Sequence, residues 1–306
     1  MRVVVTGGTG LIGKELVSAL AQRGDEVVVF TRSQTTSEQP NVRFHTTHLG
    51  DDAGWRDEIL AADAVIHLAG ETIAGRWTKK KRARILQSRT VSTQKIAEVL
   101  ASKPFTESGT TKSFITASGV GYYGSYTDNA TSFIETDLPG PGFLADVCVQ
   151  WEGATDMATL AGVRVANVRT GVVLSRSGGA LPPMALPFRL FMGGKVASGK
   201  QWLSWIHLQD LVSCYLWLLD HPTVQGPVNA AAPEAITNWG FAKKLAKVLR
   251  RPCWLPIPGI FLRLLLGEAA ELMTHGQRVT PQRLLEQNFP FEFPTLEPAL
   301  VNLLKK

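Results

Sequence analysis

Residues 3–13 read VVVTGGTGLIG, and this stretch decides the fold. Val3-Val4-Val5 is an apolar run suited to a strand buried on both faces, and Thr6-Gly7-Gly8-Thr9-Gly10-Leu11-Ile12-Gly13 sets four glycines directly after it. The following GKELVSALAQRG repeats its apolar positions at helical spacing and stops at Gly24. Strand, tight loop and helix in that order open a dinucleotide-binding unit. Gly10 lets the backbone approach a pyrophosphate, Gly13 lets the helix pack closely on the strand, and the helix N-terminus offers free N–H groups to phosphate. A GxGxxG loop alone is a weak signal; its place between a buried strand and a helix is what gives it weight.

The second strand, Glu26-Val27-Val28-Val29-Phe30, ends in Thr31-Arg32-Ser33. In this class of site an acidic residue there bonds the ribose 2′-hydroxyl of NAD. A guanidinium between two hydroxyls suits a 2′-phosphate instead, so the residues favour NADP (NADPH), against the plainer reading of Arg32 as a solvated loop residue. Asp51 and Asp52, after the strand pattern at 41–45, are candidates for an adenine-side contact. The run Ala64-Val65-Ile66-His67-Leu68-Ala69-Gly70 reads as a buried strand whose small end, Leu68, Ala69 and Gly70, lies open beside the cofactor. His67 within it reads as a satisfied core histidine. Apolar runs at 113–117 and 163–169 bring the strands to six. Strands alternating with helices imply an α/β, Rossmann-type, doubly wound parallel sheet.

Composition narrows the function classes. The chain has 306 residues, 44% hydrophobic and 19% charged, as in a globular protein. Its 32 basic and 26 acidic residues give a formal charge of +6, enough to draw phosphate-bearing ligands into a cleft. The densest basic cluster, Lys79, Lys80, Lys81, Arg82 and Arg84, follows Thr78, a candidate N-cap, and reads as a solvated helix face; no interleaved aromatics recur to suggest nucleic acid. Cys148, Cys214 and Cys253 lie far apart with no CxxC pair, which fits a reducing compartment. The six histidines show no metal-ligand spacing. No secretory leader or membrane span is visible, since the best apolar stretch, 260–266, is short, carries Arg263 and reads as a core or cleft helix. A cytoplasmic location follows, with a small-molecule substrate and the oligomeric state open.

With VTGGTGLIG, VIHLAG, ITASGVGYYG and RTGVVL in the right order, the chain resembles the extended short-chain dehydrogenase/reductase superfamily. Within it the resemblance is closer to an atypical branch, the YfcH-like epimerase family, described as NADP-dependent oxidoreductases or nucleoside-diphosphate-sugar epimerases. GRWTKKKRARILQSR, FLADVCVQWE, RTGVVLSRSGGAL and WLSWIHLQDLV carry that likeness, which spans nearly the whole chain.

The resemblance implies a Tyr-x-x-x-Lys pair on a helix, the Tyr exchanging a proton with substrate and the Lys lowering its pKa and bonding the nicotinamide ribose. Setting Glu152 against the acidic residue that often follows that pair places Leu144 at the Tyr and Cys148 at the Lys. Neither can do the work. Ser118 matches the superfamily's substrate-orienting serine to within a residue, and Tyr122 or Tyr123 is a candidate proton donor; the plainer reading packs one tyrosine beneath the sheet edge and bonds the other to a loop. Cys148, flanked by Val147 and Val149, reads as a small core hydrophobe.

Ser88 and Arg89 fall where the superfamily commonly keeps an Asn facing the site. Arg89 is a candidate for a substrate phosphate or carboxylate, or for an ion pair with Asp146, Glu152 or Asp156. The Gly- and Pro-rich stretch 175–200 reads as a cleft wall, with Met184, Phe188 and Phe191 as apolar lining and Arg189 and Lys195 as anion contacts. By resemblance, His207 and Asp210 hold the returning segment as a His–carboxylate pair. Trp239, Trp254 and Phe261 are candidates to stack on a flat ligand group, with core packing the plainer reading of all three. Residues 1–174 are expected to form the NADP-binding unit, with 203–230 returning to it, and 175–306 mainly a substrate-binding lobe. The function implied is hydride transfer on a small carbonyl, hydroxyl or sugar-nucleotide substrate. The alternative is a catalytically silent NADPH-binding redox sensor acting through a protein partner.

Overall fold

A computed structural model describes all residues except 38, 51–53, 107–108, 110, 128–130 and 306. In chain order the strands are β1 (Arg2–Thr6), β2 (Glu26–Thr31), β3 (Val42–Thr46), β4 (Ala64–His67), β5 (Ser113–Gly119), β6 (Ser132–Phe133), β7 (Arg164–Thr170), β8 (Val172–Leu174), β9 (Trp202–Leu203), β10 (Trp205–His207), β11 (Gly226–Ala230), β12 (Ile236–Thr237) and β13 (Arg278–Val279). The helices are α1 (Leu11–Gln22), α2 (Gly54–Ala61), α3 (Lys79–Ser102), α4 (Phe143–Gly153), α5 (Asp156–Leu160), α6 (Leu181–Arg189), α7 (Leu208–Asp220), α8 (Asn238–Leu249), α9 (Gly259–Leu266), α10 (Glu271–Thr274), α11 (Gln282–Glu286) and α12 (Leu296–Leu304).

Seven strands form one parallel sheet in the order β11-β7-β5-β4-β1-β2-β3. The chain runs outward from β1 through β2 to β3, then restarts on the other side with β4. That reversal puts the switch point between β1 and β4, so the glycine loop leaving β1 opens into the crevice at the strand ends. The doubly wound sheet expected from the sequence is present, with β11 as a seventh strand beyond the six legible ones.

The period-2 alternation of the Val runs feeds two cores at once. Val3, Val5, Val27 and Val29 pack on one face with Leu16 and Leu20 of α1 and Leu211, Tyr215 and Leu218 of α7. Val4, Val28, Val65 and Phe114 pack on the other with Trp55 and Ile59 of α2 and Ile96 and Leu100 of α3. Both faces being covered is why these strands read as unbroken apolar runs. A further core gathers Leu174, Leu181, Phe188, Trp205, Phe241, Leu245, Leu296 and Leu300.

Thr78 caps α3 as its sequence suggested, its hydroxyl accepting from the Lys81 N–H at 3.2 Å. Of the basic cluster that follows, Lys81 pairs with Glu71 at 2.6 Å and Arg82 with Glu268. Of the two readings of 260–266, the core helix is excluded. No residue of α9 is buried, and Ile260, Phe261, Leu264 and Leu265 are all about two-thirds exposed or more. Trp254 and Trp239 are exposed as well, against their reading as core: the Trp254 indole N–H donates to the Phe191 carbonyl at the surface, and Trp239 lies beneath the Lys243 ammonium. Among the described residues no helix is long and apolar enough to cross a membrane.

Candidate cofactor and active site

The glycine loop is built by exclusion. Gly7 has φ +71°, and a Cβ there would sit 2.9 Å from the Ala69 nitrogen and the Leu68 carbonyl carbon, so the loop lies directly on the chain leaving β4. A Cβ on Gly13 would stand 2.2 Å from the Gly7 oxygen, which seats the first turn of α1 against the loop. Gly10 is the N-cap of α1 and supplies no side-chain cap, so the amides of Leu11, Ile12 and Gly13 meet no capping side chain among the described residues. Orphan amides at the positive end of a twelve-residue helix are an anion cradle.

A cavity of about 300 Å³ stands over that cradle. Gly7, Gly10, Leu11, Ile12, Gly13 and Leu68 line it, all six named from sequence; Val173, Gly179 and Ala180 close it from the far side and were missed. The only available signal for those three was the Ser177-Gly178-Gly179 run. Gly178 and Gly179 lie over the Leu11 side chain, and at Gly179, with φ +69°, a Cβ would stand 2.9 Å from Leu11 Cδ2.

Other predicted cofactor residues take distinct places. Thr6 and Gly8 are buried, Thr9 is exposed, and Ala69 and Gly70 follow β4 at the crevice. The Thr6 hydroxyl bonds His67 Nδ1 at 2.6 Å and accepts from the Ala69 N–H at 3.3 Å, which ties the glycine loop to β4. His67 Nε2 meets the Ser92 hydroxyl at 3.0 Å, and burial, with the Arg89 charge adding to it, drives its pKa down to about 3. It is a neutral core histidine. At the end of β2, the Thr31 hydroxyl bonds both the N–H and the carbonyl of Ser33, which shapes the turn around Arg32. Arg32 is exposed and has no ion pair among the described residues. Asp51 and Asp52 lie outside the described residues.

The three candidate catalytic residues part company. Ser118, near the end of β5, is buried and its hydroxyl donates to Glu152 Oε1 at 2.7 Å. Tyr123 is wholly buried: its hydroxyl donates to Asn229 Oδ1 at 2.7 Å and accepts from Arg169 Nη1 at 3.0 Å. Burial pushes its pKa up to about 12. With its side chain buried and its hydroxyl committed to Asn229 and Arg169, Tyr123 fits the plainer reading of a tyrosine packed in the interior. Tyr122 is half-buried beneath the Arg169 guanidinium, whose Cζ lies 3.4 Å from its ring centre, and its hydroxyl has no hydrogen bond among the described residues.

Around them, Arg169 holds Glu152 by two hydrogen bonds, from Nη2 at 2.8 Å and Nε at 2.9 Å. Burial alone would lower the Arg169 pKa, but the Glu152 carboxylate outweighs it and the guanidinium is held charged. Cys148 is buried, its thiol donating to the Gly119 carbonyl at 3.5 Å, and burial followed by the Glu152 charge pushes it up to about 11. The core reading of Cys148 agrees with that geometry. Glu152 is thus bonded to Ser118 and Arg169, and none of Asp146, Glu152 and Asp156 pairs with Arg89 among the described residues.

Three further expectations change. Phe188 is buried in the core formed with Leu174, Leu181 and Trp205, locked under Gly193, and does not line the cavity over α1, while Met184 packs half-buried against the same core. Phe191 is exposed beneath Arg251. His207 and Asp210 do not pair: His207 caps α7 through the Gln209 N–H and reaches Asn302, while Asp210 accepts from the Glu292 and Phe293 amides. Each still ties α7 to the C-terminal chain, by a different partner. Among the described residues no cluster of His, Cys, Asp and Glu is placed to hold a metal.

The loop, crevice and strand-end residues fit a dinucleotide's phosphates, and known proteins bear on this. A family model described as the NAD dependent epimerase/dehydratase family matches residues 3–231, and a domain of unknown function matches 257–303. The epimerase family protein SDR39U1 homolog, chloroplastic, of Arabidopsis thaliana is 38% identical over 302 residues, covering 98% of this chain and 86% of that protein. The crystal structure of human epimerase family protein SDR39U1 (isoform 2) with NADPH superposes with TM-score 0.84 at 32% identity over 99% of both chains. The nucleoside-diphosphate sugar epimerase from Corynebacterium glutamicum gives 0.79 at 33% identity, over 99% of this chain and 58% of that one. On the match across 229 of its residues and the full-length relatives, this chain belongs to the NAD dependent epimerase/dehydratase family.

Proposed function

We propose that this protein is an atypical extended short-chain dehydrogenase/reductase that binds NADP(H) and transfers hydride on a small carbonyl, hydroxyl or sugar-nucleotide substrate. The observation that carries the reading is the uncapped N-terminus of α1, set in a glycine cradle, with an exposed Arg32 at the end of β2 flanked by the hydroxyl residues Thr31 and Ser33 rather than by an acid in the chain. The α1 amides hold the pyrophosphate and Arg32 takes the 2′-phosphate. The similar human structure, described with NADPH, supports the cofactor choice.

When bound, the nicotinamide donates or accepts the hydride. Tyr122 exchanges the proton on the reacting oxygen, since its hydroxyl alone of the three candidates is uncommitted among the described residues. Ser118 gives its proton to Glu152, so toward substrate it presents lone pairs and accepts from a hydroxyl. Three free cysteines, two of them buried, agree with a reducing, cytoplasmic setting. A second reading, a silent NADPH sensor working through a partner, is favoured by one observation: Leu144 and Cys148 stand on α4 where a Tyr and a Lys would act.

The test is NADPH oxidation across a panel of small aldehydes, ketones and 4-keto sugar nucleotides, with wild type and Tyr122→Phe. Turnover by wild type that falls at least about tenfold in Tyr122→Phe supports the enzyme. Tight NADPH binding with no turnover across the panel moves the assignment to the sensor. Cofactor that survives gel filtration on the purified protein would select an epimerase cycle over an exchanging oxidoreductase.

A further inference from the structure

Helix α4 leaves a positive charge missing from the crevice. Cys148, one turn after Leu144, is buried and neutral, and its neighbour Glu152 is neutralised by Arg169. A cation reaches the same place from α3. The Arg89 guanidinium lies against Gly70 at the exit of β4, where a Cβ would stand 3.2 Å from Cζ and 3.4 Å from both Nη atoms. It also stacks on Trp151 of α4, with Cζ 4.9 Å from the ring centre. Arg89 therefore bridges the end of β4 to the helix that lacks a lysine.

Its head is fixed but not neutralised. Nη1 donates to the Glu71 carbonyl at 2.9 Å and the Ile85 carbonyl at 3.0 Å, which sets the plane of the guanidinium. Nε and Nη2 have no hydrogen bond, and no carboxylate pairs with the group, among the described residues. Glu71, whose backbone holds Nη1, turns its carboxylate to Lys81 instead. Burial lowers the Arg89 pKa, the sign of a cation kept partly from water without full compensation. Such a group is stabilised by a ligand that supplies acceptors.

The sheet order says which half of the ligand. Adenosine belongs over β2, where Arg32 stands, and the dinucleotide crosses the strand ends at the β1/β4 switch point. Gly70 and α4 lie on the far side of that crossing. We propose that Arg89 is a positioning residue for the nicotinamide-side ribose, bonding its vicinal hydroxyls with Nε and Nη2 from α3 in place of the lysine absent from α4. This rests on the NADP(H) reading above.

The experiment is calorimetric titration of full-length wild type, Arg89→Met and Arg89→Lys with two probes, NADPH and adenosine 2′,5′-bisphosphate, which lacks the nicotinamide ribose. The expected result is NADPH weakened about tenfold in Arg89→Met, the loss of one to two ordinary hydrogen bonds, with the bisphosphate unchanged to within about twofold and part of the loss restored in Arg89→Lys. Unchanged NADPH affinity in Arg89→Met would overturn the proposal and give Arg89 to a substrate anion. Parallel loss of both probes would overturn it in favour of a structural prop. If wild type binds neither probe, the NADP(H) reading itself fails and this proposal falls with it.

Discussion

Arg169 of β7 and Glu152 of α4 face each other in a buried two-point ion pair, Nη2 to Oε2 at 2.8 Å and Nε to Oε1 at 2.9 Å, and the second of those oxygens also accepts from Ser118. One carboxylate thus joins a strand, a helix and the candidate orienting serine. Removing one partner of a buried pair strands the other, so Glu152→Gln should cost about 3 kcal/mol of stability. Ser118→Ala, which leaves the ion pair intact, should cost about 1.5 kcal/mol and keep NADPH affinity. Thermal unfolding of both variants beside wild type checks the ranking; equal effects would mean that Glu152 is not the hub.

The two tyrosines make a paired prediction. Tyr123→Phe leaves Asn229 and Arg169 each short of a partner in the interior, at a cost of about 2 kcal/mol. Tyr122→Phe removes a hydroxyl with no protein partner among the described residues, and should change stability by less than about 0.5 kcal/mol. Unfolding midpoints that fell the other way round would reverse the assignment of the two side chains.

In the glycine loop, a methyl at Gly13 meets the Gly7 oxygen at 2.2 Å, whereas one at Gly10 meets it at 3.3 Å. Gly13→Ala should therefore shift the loop and lower both stability and NADPH affinity. Gly10→Ala should fold as wild type does and lose about tenfold or more in NADPH binding, because the new methyl occupies the phosphate approach. Calorimetry on the two folded variants distinguishes these, and a Gly10→Ala protein that binds like wild type would remove the phosphate from this loop.

His67 fixes an acid limb of the stability curve. Its pKa is about 3 in the fold against an ordinary 6.5. The unfolded chain takes up a proton below 6.5 that the folded one refuses, so stability from this group is complete above 6.5 and declines as pH falls toward 3. The slope is about 1.4 kcal/mol per pH unit, or about 2 kcal/mol between pH 6.5 and 5. Stability measured at those two pH values should fall by that much more in wild type than in His67→Gln. Identical slopes would show that the imidazole is protonated in the fold.

Much of the lining of the cavity over α1 was legible because it is local. The glycine loop with its flanking strand and helix depends on residues within one supersecondary unit, and Leu68 needed only the buried run before it. What was not legible depends on distance or on turn geometry. Glu152 was placed correctly on its helix, but nothing in the chain says that its partner is Arg169 rather than Arg89. Tyr122 and Tyr123 are neighbours in a one-turn 3₁₀ segment, so one points into the core and the other does not, and no periodicity separates them. Phe188, read as cleft lining, and the core reading of the 260–266 helix missed in opposite directions for a single reason. Apolarity tells which side chains prefer burial, while the tertiary packing of 175–200 and 254–266 decides which of them obtain it.

The most direct measurement is the affinity of wild type and Arg32→Ala for NADPH and NADH by calorimetry. Wild type should bind NADPH about ten- to a hundredfold more tightly than NADH, the worth of a charge-assisted contact to the 2′-phosphate, and Arg32→Ala should lose that preference while holding NADH as before. Equal affinities in wild type, or a preference that survives in Arg32→Ala, would contradict the assignment of this strand end to NADP.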